Sequence, residues 1–230
     1  MALILNIETA TKVCSVSLSL DGEEIITKEM KSEKFSHSEN LNVFIESIFQ
    51  ETKYHINNLD AVSVSKGPGS YTGLRIGVSS AKGLCYALDI PLISIDSLES
   101  LAYLALQDPK SFAFDYVVPL FDARRMEVYS AVYTNDLIQV EGVKAEVIDE
   151  DSYLVFINTG NVLFLGPGAE KCQTKFEADN ISFNLEIEVS ATGMIALSEQ
   201  KYKLDDFEDV AYFEPFYLKE FIAGTPKKVF

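Results

Sequence analysis

Val13-Cys14-Ser15-Val16-Ser17-Leu18-Ser19-Leu20 alternates apolar and small polar residues with a period of two, and this stretch decides the fold. That period puts one face of an extended chain in a core and predicts a half-buried β-strand. Upstream, Leu3-Ile4-Leu5-Asn6-Ile7 reads as a short apolar strand. Downstream, Asp21-Gly22 makes a turn and Glu24 to Met30 supplies a third strand, so the chain opens with a β-meander. Next, Leu41, Phe44, Ile45, Ile48 and Phe49 fall at i, i+3, i+4, i+7 and i+8, which predicts an amphipathic helix over about 37–52. Ser36-His37-Ser38-Glu39 opens it as a capping box, with Ser36 as N-cap and Glu39 at N3. A buried strand follows at Ala61 to Ser65, then a glycine-rich turn at 67–73 and a second helix over about 72–88. Pro91 to Ile95 is another strand, and Asp96 or Ser97 caps a helix through Leu106.

A three-stranded meander followed by helix, strand, helix, strand and helix makes a mixed sheet with right-handed crossovers. The order resembles the ribonuclease-H-like unit that is duplicated in the actin, sugar-kinase and Hsp70 superfamily. The expected fold is therefore α/β, a duplicated unit of mixed sheets flanked by helices, with the second half reduced. Asp108-Pro109-Lys110-Ser111 is the best linker, dividing the chain into 1–108 and 109–230. The second half starts again with strands at Tyr116 to Phe121, Glu127 to Tyr133 and about Ile138 to Val147. Its helix candidates are Gly168 to Thr174 and Thr192 to Lys203. The tail Gly224-Thr225-Pro226-Lys227-Lys228 is broken by Gly and Pro, and fraying is expected there.

The 230 residues are 47% hydrophobic, an ordinary globular share that argues against a disordered chain or a disulfide-stapled miniprotein. Charge is more informative. The net charge is −16, of which residues 1–110 carry −5 and residues 111–230 carry −11. Such a field repels phosphate backbones, so any action on RNA or DNA is expected to run through a partner. Met1-Ala2-Leu3-Ile4-Leu5 is too short for a signal h-region, and no stretch approaches the ~18 apolar residues of a membrane span. Cys14, Cys85 and Cys172 are odd in number and widely spaced, which suits reduced thiols in a cytoplasm. With His37 and His55 as the only histidines, no zinc-ligand pattern exists, and neither a metal nor a cofactor is expected.

The stretch Lys66-Gly67-Pro68-Gly69-Ser70-Tyr71-Thr72-Gly73-Leu74-Arg75-Ile76-Gly77 has the glycines and helix start of a phosphate cradle. It is not a Walker A loop, because Gly73 is followed by Leu74-Arg75 rather than Lys-Ser/Thr. The competing reading is a tight turn, with Pro68 fixing φ and Gly69 taking a positive φ. In the helix behind it, Gly73, Gly77 and Ala81 recur every four residues beside Ser80, a ridge without bulk. Mid-helix glycines cost about 1 kcal/mol each, and are kept where another backbone comes close. That backbone belongs either to this chain or to a partner, and sequence leaves both open. The other stripe, Leu74, Val78, Cys85 and Leu88, faces the sheet. Catalytic constellations are thin. Glu8 follows the first strand, but Ala10 and Lys12 stand where an ATPase would use glycine and catalytic polar groups. His37, in the first helical turn, has the imidazole of a ligand or base, but without catalytic partners it reads rather as a surface helix residue, and Ser70 and Thr72 lack a triad. Arg124 and Arg125 sit between strands, either as an anion site or as a charged turn.

Taken together, Ile4 to Thr11, Cys14-Ser15-Val16, His37-Ser38, Gly67 to Gly77, Ala81-Lys82-Gly83-Leu84, Ser97-Leu98-Glu99 and Asp122-Ala123-Arg124-Arg125 with Glu127-Val128-Tyr129 resemble the TsaB (YeaZ) family. The likeness is close over the first 130 residues and weak beyond, apart from Phe216-Tyr217-Leu218. The resemblance implies an actin-like fold without a catalytic site, acting in N6-threonylcarbamoyladenosine synthesis on tRNA. It implies a dimerisation subunit for a TsaD-type transferase, joined by a TsaE-type ATPase, self-associating when alone and touching tRNA only indirectly. Its contact face uses the two N-terminal helices, which here means Leu41, Phe44, Ile48, Gly73, Ile76, Gly77, Ser80 and Ala81. Two rivals remain: an ATP-dependent phosphotransferase of the actin superfamily, and a glycoprotease-type metallopeptidase.

Overall fold

The computed structural model describes residues 1–32 and 37–219, and the side chains of these except at 110 and 112. Ser36, the expected N-cap, and the tail at 224–228 lie outside the described residues. The chain runs β1 (Leu3–Glu8), β2 (Val13–Leu20), β3 (Glu23–Lys31), α1 (His37–Glu51), β4 (Ala61–Gly67), α2 (Tyr71–Leu88), β5 (Leu92–Asp96) and α3 (Ser97–Leu106). It continues with β6 (Tyr116–Asp122), β7 (Glu127–Thr134), β8 (Gln139–Val147), the single-turn α4 (Leu154–Ile157), β9 (Val162–Leu165), β10 (Ile181–Asn184) and α5 (Ile195–Lys203).

Two five-stranded sheets form, in the orders β3-β2-β1-β4-β5 and β8-β7-β6-β9-β10. In the first, β2 is antiparallel to β1 and β3, while β1, β4 and β5 are parallel. The second repeats this: β7 is antiparallel to β6 and β8, while β6, β9 and β10 are parallel. The duplicated mixed-sheet α/β fold is thus present, with shorter parallel strands in the second copy. Among the described residues, no helix is long and apolar enough to cross a membrane.

β2 departs from its expected half burial, because both of its faces are covered. Cys14, Val16 and Leu18 pack with Leu41, Ile45 and Ile48 of α1. The serine face seats the returning C-terminal segment. Ser17 Oγ donates to Ala191 O at 3.3 Å, and Ser15 Oγ accepts the Ala191 N–H at 3.0 Å. Ser198 Oγ, on α5, donates to Asn6 Oδ1 at 2.7 Å. Small hydroxyls let backbone approach the strand while satisfying its polar groups.

The second half is less regular than expected. Gly168 to Thr174 forms no α-helix, only a 3-10 turn at Glu170–Cys172. Gly166 has φ +91°, and Gly168 packs on the Leu120 and Phe121 backbone, so the segment is used in a close approach rather than a helix. Of Thr192 to Lys203, the α-helix occupies Ile195–Lys203, preceded by a 3-10 turn at Ala191–Met194. After α5 the chain crosses the first sheet's edge, the Glu208 N–H donating to Leu92 O at 2.8 Å. It then passes α2, where Lys82 Nζ donates to Phe213 O at 2.9 Å, and the Phe216 N–H reaches Lys66 O at 2.7 Å.

Candidate functional site

The carboxyl ends of β1, β4 and β5 bring together the β1–β2 turn, the glycine-rich turn and the start of α3. In open α/β sheets this edge is where ligands bind. Here much of it is filled by the chain itself. Asp96 caps α3, its Oδ1 accepting the Leu98 N–H at 2.9 Å and the Glu99 N–H at 3.4 Å. Ser70 caps α2, its Oγ accepting the Gly73 N–H at 3.2 Å. The Ser70 N–H in turn donates to Ala10 O at 2.6 Å.

Gly69 of the glycine-rich turn and Gly73 and Gly77 of α2 receive the β1–β2 turn. A Cβ on Gly69 would overlap Ala10, one on Gly73 would overlap Thr9 O, and one on Gly77 would overlap the Thr9 hydroxyl. The positive φ of the turn belongs to Gly67, at +108°, and not to Gly69, whose lack of a side chain makes room for Ala10. The tight-turn reading therefore prevails over an open phosphate cradle: Ala10 presents its carbonyl to the helix start, where a phosphate would need free N–H groups.

His37 is not a surface residue. It is 1% exposed, its Nε2 lies 2.8 Å from Thr11 O, and its ring packs beside Gly73. Burial holds its pKa below the ordinary imidazole value. Its place is structural, clamping the β1–β2 turn to the start of α1. Glu8 is fully buried and accepts the Ala10 N–H at 2.6 Å. Loss of water pushes its pKa up to about 7, and its Oε2 has no hydrogen-bond partner among the described residues.

The eight residues assigned to a helix face divide. Leu41, Ile48, Gly73, Gly77 and Ala81 are buried inside this chain, so the small ridge serves the β1–β2 turn rather than an outside helix. Phe44, Ile76 and Ser80 are half-buried and reach the surface. Beside them stand residues that sequence reasoning missed: Val43 is 58% exposed, Tyr86 is 86% exposed, and a Cβ on Gly83 would meet nothing within 4 Å. Their signal was available, since they are apolar or small at helix positions opposite the buried stripe.

A cavity of about 510 Å³ lies between the sheets, lined by Lys66, Asp96, Glu99, Tyr133, Gln139 and Phe216. Burial raises the pKa of both Asp96 and Glu99, with Lys66 opposing the shift. Among the described residues, no group of three His, Cys, Asp or Glu side chains is placed to hold a metal ion.

The family model described as "TsaD: tRNA N6-adenosine threonylcarbamoyltransferase" matches residues 27–220. The Haemophilus influenzae protein named tRNA threonylcarbamoyladenosine biosynthesis protein TsaB is 25% identical over 225 residues, covering 94% of this chain and 93% of that protein. The Bacillus subtilis protein of the same name is 37% identical over 131 residues, covering 56% of this chain and 54% of its own length. That higher likeness thus spans only about half of each protein. The solved structure described as YeaZ from Pseudomonas aeruginosa superposes with a TM-score of 0.82 at 21% identity, covering 95% of this chain and 100% of that one. A second structure is described as an uncharacterized protein with similarity to peptidase YEAZ from Pseudomonas aeruginosa. It gives a TM-score of 0.84 at 20% identity, with the same coverage. With its two repeated sheets, its glycine-seated β1–β2 turn and these matches, the chain belongs to the TsaD-type threonylcarbamoyltransferase family and, within it, to the TsaB/YeaZ group.

Proposed function

We propose that this chain is the non-catalytic subunit that binds and supports a TsaD-type transferase in N6-threonylcarbamoyladenosine modification of tRNA. The observation that carries this reading is the surface of α1 and α2. Phe44, Ile76 and Ser80 are half-buried and Val43, Gly83 and Tyr86 exposed, which leaves apolar or small residues on the outer sides of both helices with no internal use for the most exposed. Two such helices can pack against an equivalent pair, because small residues let helix axes approach closely. The same face would join two copies of this chain when the transferase is absent. In this reading a TsaE-type ATPase completes the assembly in the cytoplasm and tRNA contact falls mainly to the partners, which the net charge of −16 supports.

Geometry weighs against both rivals. A phosphotransferase of the actin type needs the β1–β2 turn open to phosphate, whereas Ala10 O is engaged by Ser70, Ala10 fills the space at Gly69, and Thr9 fills that at Gly73 and Gly77. A metallopeptidase needs a ligand cluster of a kind that the described residues do not form. The decisive experiment mixes the chain with its cognate TsaD and TsaE, tRNA, ATP and threonylcarbamoyl-adenylate, and measures modified adenosine. Modification should depend on the chain. Equal modification without it, or ATP turnover or peptide cleavage by the chain alone, would overturn the reading.

A further inference from the structure

The cavity between the two sheets holds polar groups that the fold itself leaves unused. Lys66 near the end of β4, Asp96 at the end of β5 and Glu99 in α3 line one side, and Tyr133 of β7 and Gln139 of β8 line the other. Asp96 is 9% exposed and Tyr133 is 2% exposed. Oδ1 of Asp96 caps α3, but its Oδ2 accepts no hydrogen bond among the described residues. Glu99 senses Asp96, Lys66 and Lys201 through space alone. The Tyr133 hydroxyl accepts a long contact from Gln139 Nε2 at 3.5 Å, and its own proton has no acceptor among the described residues.

The pairing of β4 with β5 places Lys66 at this cavity. Ser65 stands opposite Ile95 and Gly67 opposite Asp96, so β4 advances two residues while β5 advances one, and Lys66 is the extra residue. A bulge of this kind re-aims a side chain. The C-terminal strap holds it, the Phe216 N–H donating to Lys66 O at 2.7 Å. The Lys66 ammonium is near enough to Asp96 and Glu99 to lower the pKa of each, yet it forms an ion pair with neither. One base and two acids therefore face the same cavity without neutralising one another.

That arrangement is complementary to a zwitterion. Two carboxylates against one ammonium repel a phosphate and favour a cation, and desolvation already holds both acids above their ordinary pKa. Lys66 needs an anion, so a simple amine would satisfy only the acids. Leu137, Val143 and Phe216 supply an apolar wall. An α-amino acid carries its ammonium and carboxylate on one carbon, which suits groups on neighbouring strands about 4.8 Å apart. The volume of about 510 Å³ is that of a small-molecule site.

We infer that this cavity binds a free α-amino acid with an apolar side chain. Its ammonium lies between Asp96 and Glu99, its carboxylate meets Lys66 and the Tyr133 hydroxyl, and its side chain rests on Phe216. No bond is made or broken. The site stands independently of the pairing with a transferase, since none of its lining residues belongs to α1 or α2.

The test titrates L-leucine into the full chain by calorimetry at neutral pH, beside N-acetyl-leucine, which lacks the cation, and leucinamide, which lacks the anion. Leucine should bind, and each analogue should bind more weakly by about tenfold or more. The variants are Lys66→Met, Glu99→Gln and Asp96→Asn, the last of which keeps a side-chain cap for α3. Each should weaken leucine binding by about tenfold or more. The melting temperature of Lys66→Met should stay close to that of the wild type, because its ammonium has no partner to lose. Three results would overturn the inference: no uptake by the wild type at millimolar leucine, unchanged affinity in Lys66→Met and Glu99→Gln, or leucinamide binding as tightly as leucine.

Discussion

Thr9 occupies the space that a side chain on Gly77 would need, its hydroxyl lying where a Cβ would be built. The smallness of α2 is therefore spent on seating the β1–β2 turn, and the surface glycine of the same helix is Gly83 instead. Gly77→Ala should destabilise the monomer by about 1–3 kcal/mol, the usual cost of overpacking. Gly83→Ala, with nothing within 4 Å, should stabilise it by up to about 1 kcal/mol through helix propensity. Urea unfolding of both variants checks the contrast, and equal effects would mean that Thr9 and Gly77 are not in contact. Gly77→Leu should unfold the chain, so it cannot serve as a clean probe of self-association.

The exposed face of α1 and α2 makes a separable prediction. Tyr86 is 86% exposed and Val43 is 58% exposed, so Tyr86→Asp and Val43→Asp should leave the melting temperature almost unchanged. Both should shift sedimentation towards monomer and weaken capture by the transferase. A wild-type dimer mass for the double variant would move the contact elsewhere.

Glu8 sets a pH dependence whose sign follows from burial. Its folded pKa stands at about 7 against 4.5 when free, so the neutral acid is the form that suits the fold. Its contribution is fully present below about 4.5 and is lost as pH rises through 7, on the order of 3 kcal/mol at most. Glu8→Gln keeps an acceptor for the Ala10 N–H and removes the titration. Stability curves from pH 4.5 to 7.5 should fall for the wild type relative to this variant; parallel curves would contradict the burial argument.

His37 acts in the opposite sense. Its folded pKa is depressed by burial, so its contribution is present above the ordinary imidazole value and is lost as pH falls through the lower folded one. His37→Gln should remove a loss of stability that grows as pH falls below the ordinary imidazole value, and Glu8→Gln one that grows as pH rises from about 4.5 to 7, so the two variants change the slope in opposite directions. Denaturant midpoints measured across the range separate the two.

All three cysteines are buried, and burial pushes each thiol up to about 11. Because the thiolate is the reactive form, the folded chain should resist a disulfide-exchange reagent at neutral pH. Full reaction should appear only in denaturant, and counting released chromophore with and without urea checks this.

Much of the first sheet was legible because its signals are local. The alternation in Val13 to Leu20 and the i, i+3, i+4 spacing of Leu41, Ile45 and Ile48 each report a buried face within a few residues. The second half gave weaker signals: β9 and β10 are four residues each, too short for a period to show, and α4 is a single turn. The candidate site was half legible. The glycine string stood out, but a glycine that admits a partner and one that admits its own chain look identical in sequence.

The sequence by itself determined the meander, the order of strands and helices, the family likeness and the acidic charge, since each rests on neighbours in the chain or on composition. Only the tertiary structure decided which surfaces are free. Thr9 and Gly77 are 68 residues apart, and Ser15 and Ala191 176 apart. Contacts at such range depend on sheet order and twist rather than on any local period. They buried the small ridge that sequence left open to a partner, and left Val43 and Tyr86 facing outward.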